Sequence, residues 1–170
     1  MDVICEIADN LSLNGHAIKF LDIGGGLGIQ YKDEKEGDPG ILMAGVKNRL
    51  EGKEYKIILE PGRSIIGSAG ILVTRIEYIK NAGGKKFAII DAGMNDLIRP
   101  SLYEAWHEVK ELENRDISSD TYDLAGPVCE TGDILAKGRN LKILPNDFVA
   151  FMDVGAYGSV MSSNYNSRLK

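Results

Sequence analysis

Ile18-Lys19-Phe20-Leu21-Asp22-Ile23-Gly24-Gly25-Gly26 and Lys56-Ile57-Ile58-Leu59-Glu60-Pro61-Gly62-Arg63 decide how the first part of this 170-residue chain is read. Each is a short apolar run that ends on a turn, three glycines in one case and Pro-Gly in the other. Short apolar runs bounded by turn residues read as buried strands. Adjacent glycines expose backbone N–H groups with no side chain to keep an anion away, and Arg63 adds a positive charge on its own tight turn. Glu60 adds a carboxylate beside that charge. Together the two runs suit a ligand with a phosphate at one end and a cationic ring nitrogen at the other, as pyridoxal phosphate has.

The residues around these runs extend the pattern. Ile4, Ile7, Ala8 and Leu11 recur at helical spacing, and Pro39 opens a second helix with Leu42, Val46 and Leu50 on one face. Strands at Ile18–Leu21 and Ile57–Leu59 alternate with these helices, which predicts parallel βα units with ligands at the carboxyl ends of the strands. Two strands cannot close a barrel. Residues 1–69 are therefore read as the tail of a larger (β/α)8 barrel, and the fold class as α/β for that part.

After Ala69 the texture changes. Gly70 to Lys80 is rich in β-branched residues, Asn81-Ala82-Gly83-Gly84 reads as a hairpin turn, and Lys86–Ile90 reads as the returning strand. Leu141–Leu144, a turn at Pro145-Asn146-Asp147, and Phe148–Phe151 suggest a second strand–turn–strand. Residues 70–170 are expected to form a mostly antiparallel β-sandwich or small barrel.

A net charge of −5 argues against nucleic acid as a partner, since no basic stripe is available to neutralise phosphates. No apolar run approaches the roughly 18 residues that would span a bilayer, and Met1-Asp2-Val3-Ile4-Cys5 does not have the form of a secretory signal. Cys5 and Cys129 make no disulfide framework, which points to a reducing cytoplasm. No metal is expected.

Five motifs carry a resemblance. They are Leu21-Asp22-Ile23-Gly24-Gly25-Gly26-Leu27-Gly28, Glu60-Pro61-Gly62-Arg63, and Met94-Asn95-Asp96-Leu97-Ile98-Arg99-Pro100-Ser101-Leu102-Tyr103. Gly126-Pro127-Val128-Cys129-Glu130-Thr131-Gly132-Asp133 and Val154-Gly155-Ala156-Tyr157-Gly158 follow. In this order they resemble the C-terminal portion of the diaminopimelate decarboxylases, a family of pyridoxal-phosphate enzymes with the alanine-racemase-like fold. The resemblance implies decarboxylation of meso-2,6-diaminopimelate to L-lysine and CO2, the last step of lysine biosynthesis. It assigns Gly24, Gly25, Gly26, Gly62 and Arg63 to the cofactor phosphate, Glu60 to the pyridine nitrogen and Tyr157 to the mouth of the phosphate pocket. Arg63, Arg99, Tyr103, Glu130 and Tyr157 would bind substrate: Arg99 and Tyr103 take a carboxylate, and Glu130 takes the distal ammonium. Cys129 would be the proton donor. In this family the Cys and Glu reach the partner subunit's cofactor, which implies a homodimer with shared active sites.

The resemblance also implies that the lysine bearing the cofactor lies in a barrel strand this chain does not contain. The chain is then expected to be a fragment that is inactive alone. Other readings of the same residues stand beside these. Gly24–Gly26 can be only a tight turn, Cys129 a small apolar residue, and Arg99 with Tyr103 a helix-surface pair. Cys5, Trp106 and His107 are read as packing, His16 as a loop residue, and Lys32–Asp38 as a solvated loop. Two further alternatives are a non-catalytic dimerising or phosphate-binding fragment and a related decarboxylase acting on a carboxylated polyamine.

Overall fold

The computed structural model describes residues 1–169, which divide into two compact units. The first comprises Met1–Gln30 and Lys35–Ile65, and the second comprises Tyr31–Glu34 with the chain from Ile66 onward.

In the first unit, helix α1 (Asp2–Leu13) precedes strand β1 (Phe20–Asp22), then α2 (Pro39–Arg49) and β2 (Lys56–Ile58). A short α3 (Gly62–Ile66) ends it. Strands β1 and β2 are parallel, with Leu21 opposite Ile57. Helix α2 starts where Asp38 caps it, accepting from Gly40 N at 2.6 Å and Ile41 N at 3.2 Å, with Pro39 in the first turn. The buried cluster is Cys5, Ala8 and Leu21, with Ile4, Ile18, Leu50, Tyr55 and Ile57 against it. The helical spacing of Ile4, Ile7, Ala8 and Leu11 thus located α1, but its inward face is turned toward Cys5, leaving Ile7 and Leu11 exposed. Asp9 ties α1 to the segment before β2 by accepting from the Tyr55 hydroxyl at 2.9 Å and pairing with Lys53.

In the second unit, strands β3 (Leu72–Ala82) and β4 (Lys85–Ile90) form the expected hairpin. Its turn is Gly83-Gly84, with φ of 59° and 77°, values that only glycine adopts at little cost. Helix α4 (Arg99–Tyr103) and strands β5 (Val109–Glu111), β6 (Asp120–Ala125), β7 (Ile134–Leu141) and β8 (Phe148–Phe151) follow. Among the described residues six strands make one sheet in the order β5-β8-β3-β4-β6-β7, antiparallel except where β4 meets β6. Strand β3 pairs with β8 through Leu72–Arg75 and with β4 from Ile76 on, and its register breaks between Ile76 and Tyr78. Such a break bends a strand and lets one strand serve two halves of a curved sheet. The outer strands β5 and β7 approach each other, and Lys142 N donates to Glu111 Oε1 at 2.8 Å, so the sheet is a nearly closed barrel. Ile76, Ile90, Leu124, Leu135, Val149 and Phe151 fill it.

The expected strand–turn–strand from Leu141 to Phe151 is present in part: Phe148–Phe151 is a strand, but Lys142–Leu144 lies beyond the end of β7, and β7 and β8 are not neighbours. Strand β7 ends at Leu141, and β8 pairs with β3 and β5 instead. The turn between them is docked on β3: Ile76 N donates to Asp147 O at 2.8 Å, and Asn146 N to Ile76 O at 2.7 Å. The buried Asp147 carboxylate accepts from Leu144 N at 2.8 Å and pairs with Arg115. This anchoring delivers Phe148 opposite Arg75 rather than back along β7.

Candidate active site

The two diagnostic runs of the first unit lie side by side at the carboxyl ends of β1 and β2. Ile23 N donates to Ile58 O at 3.1 Å, Glu60 N to Gly24 O at 2.8 Å, and Gly62 N to Glu60 O at 2.8 Å. Asp22 Oδ1 folds the glycine loop by accepting from Gly24 N at 2.9 Å. Gly24 and Gly26 have φ of 69° and 86°, in the left-handed region that favours glycine. Gly25 is required for space: a Cβ there would stand 2.5 Å from the Glu60 carbonyl oxygen. Gly25, Gly26 and Glu60 are exposed and Arg63 is half-buried.

The second unit holds a different constellation. Arg99 is 6% exposed, at the start of α4. Its Nη1 donates to the Tyr31 hydroxyl at 3.0 Å and lies 3.2 Å from His107 Nε2, and the guanidinium stacks 4.9 Å from the Tyr31 ring centroid. Among the described residues Arg99 has no ion pair. Tyr103, one turn on, is exposed, so the two are not a surface pair. His107 is 1% exposed, and its Nδ1 lies 2.9 Å from Met152 O. Burial pushes the His107 pKa down, and the Arg99 and Arg139 cations add to this against the Met152 carbonyl and Asp153. Arg139 supports the segment from below: its Nη2 donates to His107 O at 2.9 Å, and its guanidinium lies over the Trp106 ring. Burial lowers its pKa to about 10, with Glu108 opposing.

Cys129 and Glu130 are exposed on the loop between β6 and β7. Tyr165 donates from its hydroxyl to Glu130 Oε2 at 3.4 Å, and Asn166 Nδ2 lies 4.0 Å from Cys129 Sγ. Asp133 shapes this loop from inside. Its carboxylate accepts from Val128 N at 2.7 Å and from Met94 N at 2.6 Å, and its backbone carbonyl accepts from Gly126 N at 2.9 Å. A side chain at position 126 would collide with that carboxylate, which accounts for the glycine. Burial pushes the Asp133 carboxyl up, against the two backbone N–H bonds. Through Met94 the same carboxylate joins the Cys129–Glu130 loop to the segment that leads into Arg99.

Tyr157 sits in a tight turn, exposed, with φ of 62°. A non-glycine residue in that region costs of order 1–2 kcal/mol and persists where its surroundings impose it. The turn is pinned by Val154 N to Gly70 O at 3.0 Å and Gly155 N to Gly67 O at 2.9 Å. A Cβ on Gly155 would overlap the Ile66 carbonyl oxygen.

The structure thus gathers Gly24–Gly26 with Glu60 and Gly62 in one unit. In the other it sets Cys129 beside Glu130 and buries Arg99 close to Tyr31 and His107. His107, read from sequence as packing, is buried as that reading requires, and its contact with Arg99 is what the sequence did not show. Asp133 closes the Cys-Glu-Thr-Gly-Asp run, and its inward bonds to Val128 and Met94 were likewise not legible there. Among the described residues no helix is long and apolar enough to cross a membrane, and no cluster of metal-binding side chains is present.

Comparison with known proteins gives these features a family. The family model described as "Pyridoxal-dependent decarboxylase, C-terminal sheet domain" matches residues 3–155. The chain is similar to the diaminopimelate decarboxylase of Pseudomonas aeruginosa, with 50% identity over 168 residues, covering 99% of the chain and 40% of the relative. It is also similar to that of Aquifex aeolicus, with 48% identity over 170 residues, covering 99% of the chain and 40% of the relative. The crystal structure of diaminopimelate decarboxylase from Helicobacter pylori complexed with L-lysine superposes with a TM-score of 0.88 at 43% identity, covering 96% of this chain and 41% of that one. The chain spans about 40% of the length of the curated relatives it matches. With a matched stretch that takes in the glycine loop, the Arg99 helix and the Cys129 loop alike, the chain belongs to the pyridoxal-dependent decarboxylases.

Proposed function

We propose that this chain supplies the C-terminal part of a pyridoxal-phosphate-dependent decarboxylase that converts meso-2,6-diaminopimelate to L-lysine and CO2. On this reading residues 1–69 are the last part of a (β/α)8 barrel, and residues 70–170 are a β domain of the alanine-racemase C-terminal type. The observation that carries it is the glycine loop lying beside Glu60-Pro61-Gly62-Arg63 at the ends of adjacent parallel strands, joined by Glu60 N to Gly24 O at 2.8 Å.

The residues fit the cofactor. Position 25 tolerates no side chain and Gly24 and Gly26 hold left-handed conformations, so the loop presents backbone rather than side chains, with the Gly24 N–H engaged by Asp22 and the Gly62 N–H by the Glu60 carbonyl. Gly24, Gly25, Gly26, Gly62 and Arg63 would hold the phosphate, with Tyr157 closing the pocket. Glu60 would face the ring nitrogen and favour its protonated form. When bound, the cofactor would supply the sink for the electron pair left on the substrate carbon as CO2 departs. Arg99 and Tyr103 would grip a substrate carboxylate, for which a guanidinium offers two parallel donors, and Arg63 is a further residue for the substrate. Glu130 pairs with the distal ammonium. The Cys129 thiol gives a proton to the carbon that CO2 has left.

Cys129 and Glu130 act in the partner subunit's site, so the working unit is a homodimer. The L-lysine complex of the Helicobacter pylori relative supports an amino-acid substrate and product of this size. Both cysteines are free, in keeping with a cytoplasmic enzyme. The test is a holoenzyme assay: CO2 and L-lysine should appear in equal amounts from meso-diaminopimelate. Release of CO2 only from a carboxylated polyamine would overturn the substrate assignment.

A further inference from the structure

We infer that His107 is the positioning residue for Arg99: held as the Nδ1–H tautomer by the Met152 carbonyl, it offers its Nε2 lone pair to Arg99 and aims an uncompensated guanidinium at an anionic group of the substrate. The inference rests on Arg99 binding a substrate carboxylate, as proposed above, and adds how that cation is kept in place and left unpaired.

The assignment of the proton follows from the partners. A backbone carbonyl only accepts, so Nδ1, 2.9 Å from Met152 O, carries the hydrogen. Arg99 only donates, so Nε2, 3.2 Å from its Nη1, must present the lone pair. The neutral ring satisfies both neighbours at once, and the imidazolium would set a second N–H against a guanidinium. The groups facing the ring agree with neutrality. Arg99 from α4 and Arg139 from β7 are cations, Tyr31 meets the ring edge-on with centroids 5.4 Å apart, and Asp153 beyond β8 is the opposing charge.

The consequence for Arg99 is specific. A buried arginine is ordinarily neutralised by a carboxylate, whereas here a phenol and an imidazole take its Nη1 and, among the described residues, no carboxylate does. The positive charge therefore remains available, and the Nη2 and Nε donors stand outside both hydrogen bonds. A histidine in this place orients the arginine without competing with the anion it is to bind. An aspartate or glutamate would orient it equally well and cancel its charge.

Two measurements on the holoenzyme decide the matter. Long-range 1H–15N correlation on histidine-labelled protein at pH 8 should show His107 as the neutral Nδ1–H tautomer. The Nε2–H tautomer, or an imidazolium at that pH, would overturn the inference whatever reaction the enzyme catalyses. In steady-state kinetics, His107→Phe should raise KM by about tenfold or more with kcat nearly unchanged, and His107→Gln, whose amide can again donate to one side and accept from the other, should recover most of the loss. An unchanged KM in a folded His107→Phe enzyme would overturn the inference and leave the decarboxylase assignment standing. Failure of the unmodified enzyme to decarboxylate would instead strike the functional reading, with the tautomer measurement still deciding the role of His107.

Discussion

Burying a guanidinium without a carboxylate carries a desolvation penalty of several kcal/mol, and Arg99 is held at that cost by a phenol, an imidazole lone pair and an aromatic face. Arg99→Ala is expected to raise KM strongly and to lower kcat/KM by about 2–4 kcal/mol, read by steady-state kinetics on the holoenzyme. Cys129 presents the opposite situation, an exposed thiol on a loop. Cys129→Ala should leave cofactor absorbance intact and lower turnover by about 10²–10⁴, as loss of one positioned acid does. The residues of the short motifs were legible in sequence because each sits in a contiguous run. His107 was not, because its partners Arg99 and Met152 lie eight and 45 residues away and no local pattern links them.

At the scale of elements, two turns carry more than their lengths suggest. Gly155 packs its backbone against the Ile66–Gly70 segment so closely that any Cβ would displace it. Gly155→Ala should destabilise the chain by about 3 kcal/mol or more, seen as a lowered Tm, because the clash is with backbone rather than with a flexible side chain. The turn before β8 depends on Asp147. Burial alone would push its carboxyl up, but Arg115 and the Leu144 N–H outweigh this and hold it below the usual range. A folded-state pKa below the unfolded one contributes stability that is present above the unfolded value, near 4, and is lost as pH falls through the folded value. Asp147→Asn should therefore cost about 1–3 kcal/mol at neutral pH, with the gap closing below about pH 4, in denaturant midpoints compared across pH. That turn also joins two strands that do not pair with each other. Turn chemistry marked the reversal correctly, and the docking of Asn146 and Asp147 on Ile76 chose the partner strand.

For the molecule as a whole, the proposed sharing of sites between subunits makes a prediction that no single variant can. A mixture of Glu60→Ala and Cys129→Ala subunits, each inactive alone, should regain about a quarter of wild-type turnover if Cys129 acts across a two-fold interface, since half of the dimers are mixed and each then has one intact site. Measured CO2 release, with mixed dimers verified by mass, checks it; no recovery would place Cys129 in its own subunit's site.

What the sequence determined by itself was local. Apolar runs ending in Gly24–Gly26 and Pro61-Gly62 specified two strands that end on turns, Asp38 and Pro39 specified a helix start, and Gly83-Gly84 specified a hairpin, because backbone preference acts over a few residues. Tertiary structure decided which distant strands pair, carrying β8 to β3 and closing β5 toward β7, and which buried groups meet. Those outcomes depend on hydrogen bonds between residues far apart in the chain, such as Met94 N to Asp133 and His107 to the Met152 carbonyl. Their energy exists only once the barrel has formed around them.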